Sequence, residues 1–367
     1  MKNKQSKEVR NEMKDNILVI GGYGHVGKIV CEILGRNLPG KVIAAGRNLR
    51  KAEEFCQTTK GTVIPFELDI SKPVPSELLS KVRVVVMCLD QRNLDFVRTC
   101  FNHKIHYVDI SAKYTFLSSV KRLQAEAEKS NVCAVLSVGL APGLTNLLAS
   151  FAKSSLDRTE AIDIYIMLGL GDYHGKAAIE WTVNNLNSTY QIHSGSDKTQ
   201  IEAFSGGKET SFGKNIGKRK GFYFNFSDQH TLPDTLKVPA VATRACFDSR
   251  IMTSMFALLK RAGVFKLLKY QSIRKMMVWL LSNIRFGKDT YAVKVDAFGV
   301  YNGKKVVAEC GIQGQKESLI TAKVAAKVAE NLYTVQNQKG VYHIEELYDI
   351  HSIYNDLPSP EVFITNV

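Results

Sequence analysis

The chain has 367 residues, enough for two domains around a large buried core, and its 45% hydrophobic and 23% charged content is that of an ordinary globular protein. No apolar run is long enough to cross a membrane, and the polar opening MKNKQSKEVRNEMKDN lacks the apolar stretch of a signal peptide, so residues 1–15 read as a disordered tail. Seven scattered cysteines without a C-x-x-C pair read as reduced thiols of a cytoplasmic protein, and a net charge of +14 reads as a surface for nucleic acid, a membrane or an anionic ligand, or else as a basic surface with no specific partner.

In chain order, NILVI enters a glycine cluster and reads as a buried strand with a tight turn. HVGKIVCEILGRN follows with Val26, Ile29, Val30, Ile33 and Leu34 at helical spacing. Lys41–Ala45 is the next strand and LRKAEEFCQ the next helix. TVIPFELDI, KVRVVVMCLD, KIHYVDIS and VCAVLSV repeat the theme, with helical segments such as NLDFVRTCF between them. Strands alternating with helices predict a parallel, doubly wound sheet from about Asn16 to Leu140. In GLAPGLTNLLASFA, Pro142 and Gly143 read as a strand-to-helix turn with the proline at the helix start. The pattern then changes. AIDIYIMLGL, FYFNF and YAVKVDAFGVY alternate, and Asn302-Gly303 between two alternating runs predicts a hairpin. This middle region reads as a second domain with an antiparallel or mixed sheet. ESLITAKVAAKVAENLY predicts a helix near the C-terminus.

The glycine cluster Gly21-Gly22-Tyr23-Gly24-His25-Val26-Gly27 follows a strand and opens a helix, the context in which such a loop binds a dinucleotide. One glycine makes the turn, one admits the pyrophosphate to the backbone, and one lets helix and strand pack closely. The second strand ends in Gly46-Arg47-Asn48, where a chain specific for NAD carries a carboxylate for the ribose hydroxyls. A guanidinium there pairs with the 2′-phosphate of NADP(H), with Asn48 as a further donor, so Arg47 argues for NADP(H) over NAD(H); the alternative is a solvated loop arginine. The loop also fits G-x-x-G-x-x-G, the spacing of short-chain dehydrogenases. Tyr301 and Lys305, the one Tyr-x-x-x-Lys pair, span the Asn302-Gly303 turn rather than a helix, which sets that class aside.

The loop GGYGHVG, the strand end AAGRN, YVDIS (Tyr107–Ser111), GLAPGLTNLLA (Gly139–Ala149), and the C-terminal TAKVAAKVAENL and GVYHIEEL together resemble the saccharopine dehydrogenase-like oxidoreductases, in particular the saccharopine reductase and carboxynorspermidine dehydrogenase branch. The resemblance covers nearly the whole chain in order and is clearest in the first 150 residues and at the C-terminus. It implies an α/β protein: a Rossmann-type doubly wound parallel sheet (16–140 with 317–350) and an inserted second α+β domain (141–316) for substrate binding and dimerisation. It implies NAD(P)-dependent reduction of an imine, formed from an amine and a carbonyl compound, and a homodimer. The family usually reads Gly-Leu-Asp-Pro-Gly where this chain has Ala141, which argues for a substrate without the matching ammonium group.

Reduction of an imine needs a hydride donor and a proton, and a carboxylate beside the nitrogen favours the reactive iminium. Asp109 at the end of the fifth strand is a candidate catalytic or orienting carboxylate, flanked by His106, Ser111, Lys113 and Tyr114; the alternative is a helix cap. Arg244, in an otherwise apolar strand, is the candidate for a substrate carboxylate such as an amino acid's, or else for an internal salt bridge. Gly22, Tyr23, Gly24, His25, Val26, Gly27, Arg47, Asn48, Asp69, Ile70, Cys88, Leu89 and Ser111 are the expected cofactor contacts. Cys88 reads as a small buried residue rather than a catalytic thiol, and Trp181 as a core aromatic. No metal site is expected from His103 and His106. From Ser249 to Lys288 there are nine basic residues and no acidic one, in two amphipathic segments, MFALLKRAGVFKLLK and IRKMMVWLLSNIRF. These read either as a packing or dimer face or as a surface for anionic lipid; nucleic acid is disfavoured because aromatics are not interleaved for base stacking. Two rival functions follow: a non-catalytic NADP(H)-binding sensor or scaffold, and a membrane-associated reductase of a lipid-like substrate.

Overall fold

The computed structural model describes residues 14–195, 197–283, 287–335, 338–353 and 363–366. The expected tail lies outside these residues up to position 13, as does the end of the second basic segment, 284–286. The last two tail positions do not fit the expectation of disorder. The Asp15 N–H donates to the Lys81 carbonyl (2.9 Å), and its carboxylate pairs with Lys41 and accepts from the Tyr333 hydroxyl.

Six strands alternate with helices from the start: β1 (Asn16–Ile20), α1 (His25–Asn37), β2 (Val42–Gly46), α2 (Leu49–Gln57), β3 (Val63–Glu67), α3 (Ser76–Lys81), β4 (Val82–Met87), α4 (Asp95–Asn102), β5 (His106–Asp109), α5 (Tyr114–Lys121), α6 (Gln124–Lys129) and β6 (Cys133–Leu136). Their pairings are all parallel, in the order β6-β5-β4-β1-β2-β3. Helices cover both faces, so the central strands are apolar at every position rather than alternating. Ile17 and Val19 face α1, while Leu18 and Ile20 face the side of Phe96, Val97 and Leu117. Strand order reverses between β1 and β4, and the crevice beyond their carboxyl ends is where such sheets bind ligands.

The turn after β6 departs from expectation. Ala141, Pro142 and Gly143 have non-helical backbone angles, and α7 (Thr145–Ser154) begins only afterwards, so Pro142 precedes the helix rather than opening it. The second half contains β7 (Arg158–Leu168), α8 (Lys176–Asn185), β8 (Thr189–Ser194), β9 (Asp197–Glu202), β10 (Lys208–Ser211), β11 (Lys218–Tyr223), α9 (Asp228–Thr235), β12 (Val241–Phe247), α10 (Arg250–Arg261), α11 (Gln271–Asn283), β13 (Thr290–Tyr301) and β14 (Lys304–Gln315). The hairpin at Asn302-Gly303 forms as its sequence predicts, both residues at positive φ (50° and 75°). α12 (Glu317–Thr334) then returns to pack on α1, and β15 (Gly340–His343) adds a parallel strand beside β6. The final strand, β16 (Phe363–Asn366), pairs with β14. The second sheet is mixed, in the order β10-β11-β12-β7-β13-β14-β16, with β12 and β7 parallel. One apolar cluster runs from Ile17 and Val19 through α7 and α12 to Ile162, Ile164 and Ile166, so the two halves share a core.

Close backbone approach sets the geometry at the end of β1. A Cβ on Gly27 would lie 2.1 Å from the Gly21 carbonyl oxygen, and one on Gly22 would lie 2.7 Å from Ala44 Cα. Neither neighbour is a flexible side chain. Gly27→Ala is therefore expected to lower stability by about 2–4 kcal/mol, as overpacking against fixed backbone does, and to weaken cofactor binding with it. Urea denaturation with and without NADPH checks both effects.

Candidate cofactor and substrate site

The glycine loop is tied to the neighbouring strand. The N–H groups of Gly21 and Gly22 donate to the Ala45 carbonyl at 2.8 and 3.1 Å, and that of Gly24 donates back to Gly21 at 2.8 Å. Gly21 needs its positive φ of 77°. α1 starts with Gly24 as its N-cap, with no side-chain cap and no acidic residue in its first turn. Its first N–H groups and the positive end of its dipole thus suit a pyrophosphate. The Tyr23 ring lies across Gly46, where a Cβ would meet it at 2.5 Å, and its hydroxyl accepts from the Asn48 N–H at 3.0 Å. Tyr23 thereby fixes the Gly46–Asn48 corner and leaves Arg47 exposed at the end of β2. The Asn48 side-chain oxygen, Oδ1, accepts from the Lys51 N–H and caps α2, so part of its expected ligand role goes to the helix.

The other expected cofactor contacts line the ends of β3, β4 and β5. Asp69 accepts from the Ser71 N–H and hydroxyl, which hold its carboxyl below the usual range, and the Arg47 charge adds to this. Ile70 packs on the apolar cluster below. Leu89 covers Gly21 and is 43% exposed, so it floors the open crevice. Burial pushes the Cys88 thiol up to about 12, with Asp109 adding to the effect, so Cys88 carries no thiolate. His25 and Val26 stand in the first turn of α1, and His25 packs edge-on against Tyr173 at 4.6 Å.

Asp109 lies beneath the crevice, fully buried. It accepts from the Tyr107 hydroxyl at 2.5 Å and from the Ser111 N–H at 2.7 Å, while the Ser111 hydroxyl accepts from the Lys113 N–H. Burial raises its carboxyl to about 6 against those hydrogen bonds. It caps a turn rather than a helix, since α5 begins five residues later at Tyr114. Arg244 lies on the face of the second sheet opposite the shared core, paired with Asp163 at 2.6 Å and stacked over Tyr223 at 4.2 Å. The same face carries Lys208, which pairs with Asp163, and Lys294, which pairs with Asp296 and Glu309. Three cations thus meet three carboxylates, and the internal salt bridge accounts for the buried arginine. Asp109 and Arg244 belong to different halves and do not meet. Trp181 packs on Phe224 and Phe226, with ring centres 5.5 and 5.1 Å away.

The second half supplies groups that the sequence reading passed over. Gly169–Gly175, the run GLGDYHG after β7, lies against the α1 N-terminus, where a Cβ on Gly175 would be 3.6 Å from His25 Cβ. The Asp172 carboxylate accepts from the Glu317 N–H (2.7 Å) and His174 Nδ1 lies 3.3 Å from Glu317, so the start of α12 anchors this segment. From the other side, the His230 ring stacks on Tyr114 at 4.7 Å and bonds Asn225 at 2.7 Å. Burial and then His193 push His230 down to about 4, so it is neutral at physiological pH. Desolvation raises the Asp90 carboxyl, Lys113 opposes this and Glu180 of α8 reinforces it. Glycines flanking an acid and a histidine directly after a strand were the signal available for the first segment; His230 offered none, because its partner is 116 positions away.

Burial lowers the His174 imidazole, but Glu317, the Gly169 carbonyl and Asp172 outweigh this and raise it from 6.5 to about 9. A raised histidine stabilises the fold fully below its unfolded value and loses that contribution as pH rises through the folded one. Stability is therefore expected to fall by about 2 kcal/mol between roughly pH 6.5 and 9 through this group. Chemical denaturation across that range should show the slope in the parent protein and a flatter profile in His174→Gln.

Residues 17–135 match the saccharopine dehydrogenase NADP binding domain family. No curated protein matches the sequence. Among solved structures, the chain is similar to apo histidine-tagged saccharopine dehydrogenase (L-Glu forming) from Saccharomyces cerevisiae, at 12% identity over 95% of this chain and 100% of that one, with a TM-score of 0.68. Weaker likenesses are DAP dehydrogenase from C. glutamicum in complex with DAP (13% identity, 93% and 96% coverage, TM-score 0.46) and amine dehydrogenase from Mycobacterium smegmatis (10% identity, 92% and 97% coverage, TM-score 0.47). Residues 17–135 thus form a saccharopine dehydrogenase-type NADP-binding domain, with NADP(H) as its cofactor, and the chain as a whole shares the fold of the yeast enzyme.

Proposed function

We propose that this protein reduces a carbon–nitrogen double bond, formed between an amine and a carbonyl compound, at the expense of NADPH. The observation that carries the reading is the meeting of the two halves over the carboxyl ends of β4 and β5, where His230 stacks on Tyr114 beside the loops that carry Asp90 and Lys113. When bound, NADPH supplies a hydride to the carbon of the double bond. The protein's part is to hold the substrate nitrogen protonated, because an iminium accepts hydride more readily than a neutral imine. Asp90 and Glu180 provide negative charge there. The product is a secondary amine.

The remaining residues bind and position. Arg47 pairs with the 2′-phosphate, and the α1 N-terminus takes the pyrophosphate. Asp109, through the Ser111 N–H, fixes the loop that carries Lys113 and Tyr114. Arg244 acts through Asp163 to order the wall of the second sheet. The neutral His230 and Tyr114 close the far side of the crevice.

Titration with NADPH and NADH, followed by nicotinamide fluorescence, tests the cofactor assignment. Arg47→Asp is expected to weaken NADPH roughly 10- to 100-fold, as loss of a charge-assisted pair does, and to leave NADH little changed. Equal loss of both would show that Arg47 does not read the 2′-phosphate. A screen of amine–carbonyl pairs with NADPH tests the chemistry. Asp90→Asn and Glu180→Gln are expected to lower kcat by about 100-fold with NADPH affinity retained. Tight NADPH binding without turnover of any pair would favour the non-catalytic reading.

A further inference from the structure

We infer that α10, α11 and the turn between them form a docking surface for an anionic lipid bilayer. The inference stands apart from the imine chemistry. Each helix is apolar on two sides. In α10, Phe256 is buried and Met252 and Leu259 are packed on the core, which suffices to hold the helix in place. A second stripe at spacing i, i+4, i+7 consists of Ile251, Met255 and Leu258, exposed by 81, 40 and 66%. α11 repeats this: Ile273, Met277 and Val278 pack inward, while Met276, Trp279 and Leu280 remain exposed, Trp279 by 63%. Nine of the seventeen exposed large apolar side chains among the described residues lie between Ile251 and Leu280, a concentration that marks an interaction surface rather than scattered exposure.

Charge selects the occupant. Nine of the chain's basic residues and no acidic one fall between Ser249 and Lys288. Among the described residues, Lys260 alone of these nine is in an ion pair, with Glu202 at 3.1 Å. A second copy docked across a two-fold axis would set these like charges against each other. Nucleic acid would satisfy the charges and leave the apolar stripes in water. An anionic bilayer takes both, with Trp279 at the headgroup level and Lys and Arg on the phosphates. No helix among the described residues is long and apolar enough to span a membrane, so the contact is peripheral. Behind the surface, α11 packs on α8, the helix that carries Glu180.

Co-sedimentation of the full-length protein with phosphatidylcholine vesicles, with and without phosphatidylglycerol, tests the inference. Binding is expected to the anionic vesicles and to be roughly tenfold weaker to the neutral ones, and to weaken as salt rises. Trp279 emission, read in a Trp181→Phe background, should shift to the blue on binding. Leu258→Glu with Trp279→Glu should abolish sedimentation while NADPH binding, the check on folding, is kept. Lys269→Glu with Lys275→Glu, which leaves the apolar stripes intact, should weaken it as well. Absence of vesicle binding, or binding unchanged in both double variants, would overturn the inference. So would a dimer, seen by analytical ultracentrifugation, that the Leu258→Glu/Trp279→Glu variant dissociates.

Discussion

The contact between Gly27 and the Gly21 carbonyl is the constraint on which the cofactor region depends. It brings α1 down onto the end of β1 so closely that no side chain fits between them. Because Gly21 and Gly22 are also bonded to Ala45, the same contact fixes where β2 ends. Tyr23 carries the constraint one step further. Its ring occupies the space that a side chain on residue 46 would take, and its hydroxyl holds the Asn48 N–H, so Arg47 is turned outward at a set position. The glycine loop and the end of β2 are thus one backbone unit, built from glycines and one tyrosine.

The second half completes the site with charges rather than with a second backbone cradle. Its segment Gly169–Gly175 is held by Glu317 at the start of α12, and α12 in turn packs on α1. Position therefore passes from the core helix to the loop that borders the glycine turn. The apolar cluster shared by the two sheets keeps the two walls of the crevice in fixed relation. Across it, Tyr114 meets His230. In the second sheet, period-two alternation places Ile162, Ile164 and Ile166 on the shared core and Asp163 and Tyr165 on the opposite face. Arg244 shares that opposite face, which is why an apolar-looking strand carries a buried cation without a ligand for it.

Local patterns made much of this legible from the chain alone. Continuous apolar runs separated by helical spacing announce a parallel sheet, and the six strands so read form in the expected manner, while β15 joins the edge unannounced. A turn that requires positive φ announces itself by Gly and Asn, as at Gly21 and at Asn302-Gly303. The Leu140–Leu144 turn was harder, because Pro and Gly there mark a break in the backbone without saying on which side of it the helix begins.

What the sequence by itself determined was therefore the doubly wound sheet, the glycine loop and the arginine beside it, since each depends on dihedral preference or periodicity within a few residues. What only the tertiary structure decided was the pairing of charges. Whether Arg244 meets a ligand or Asp163, 81 positions away, turns on the register of β12 against β7. Whether Asp109 faces a substrate or lies beneath the crevice turns on the strands and loop that cover it. A carboxylate's role is set by its burial and by the partner it finds, and both are properties of distant segments brought together rather than of the residues beside it.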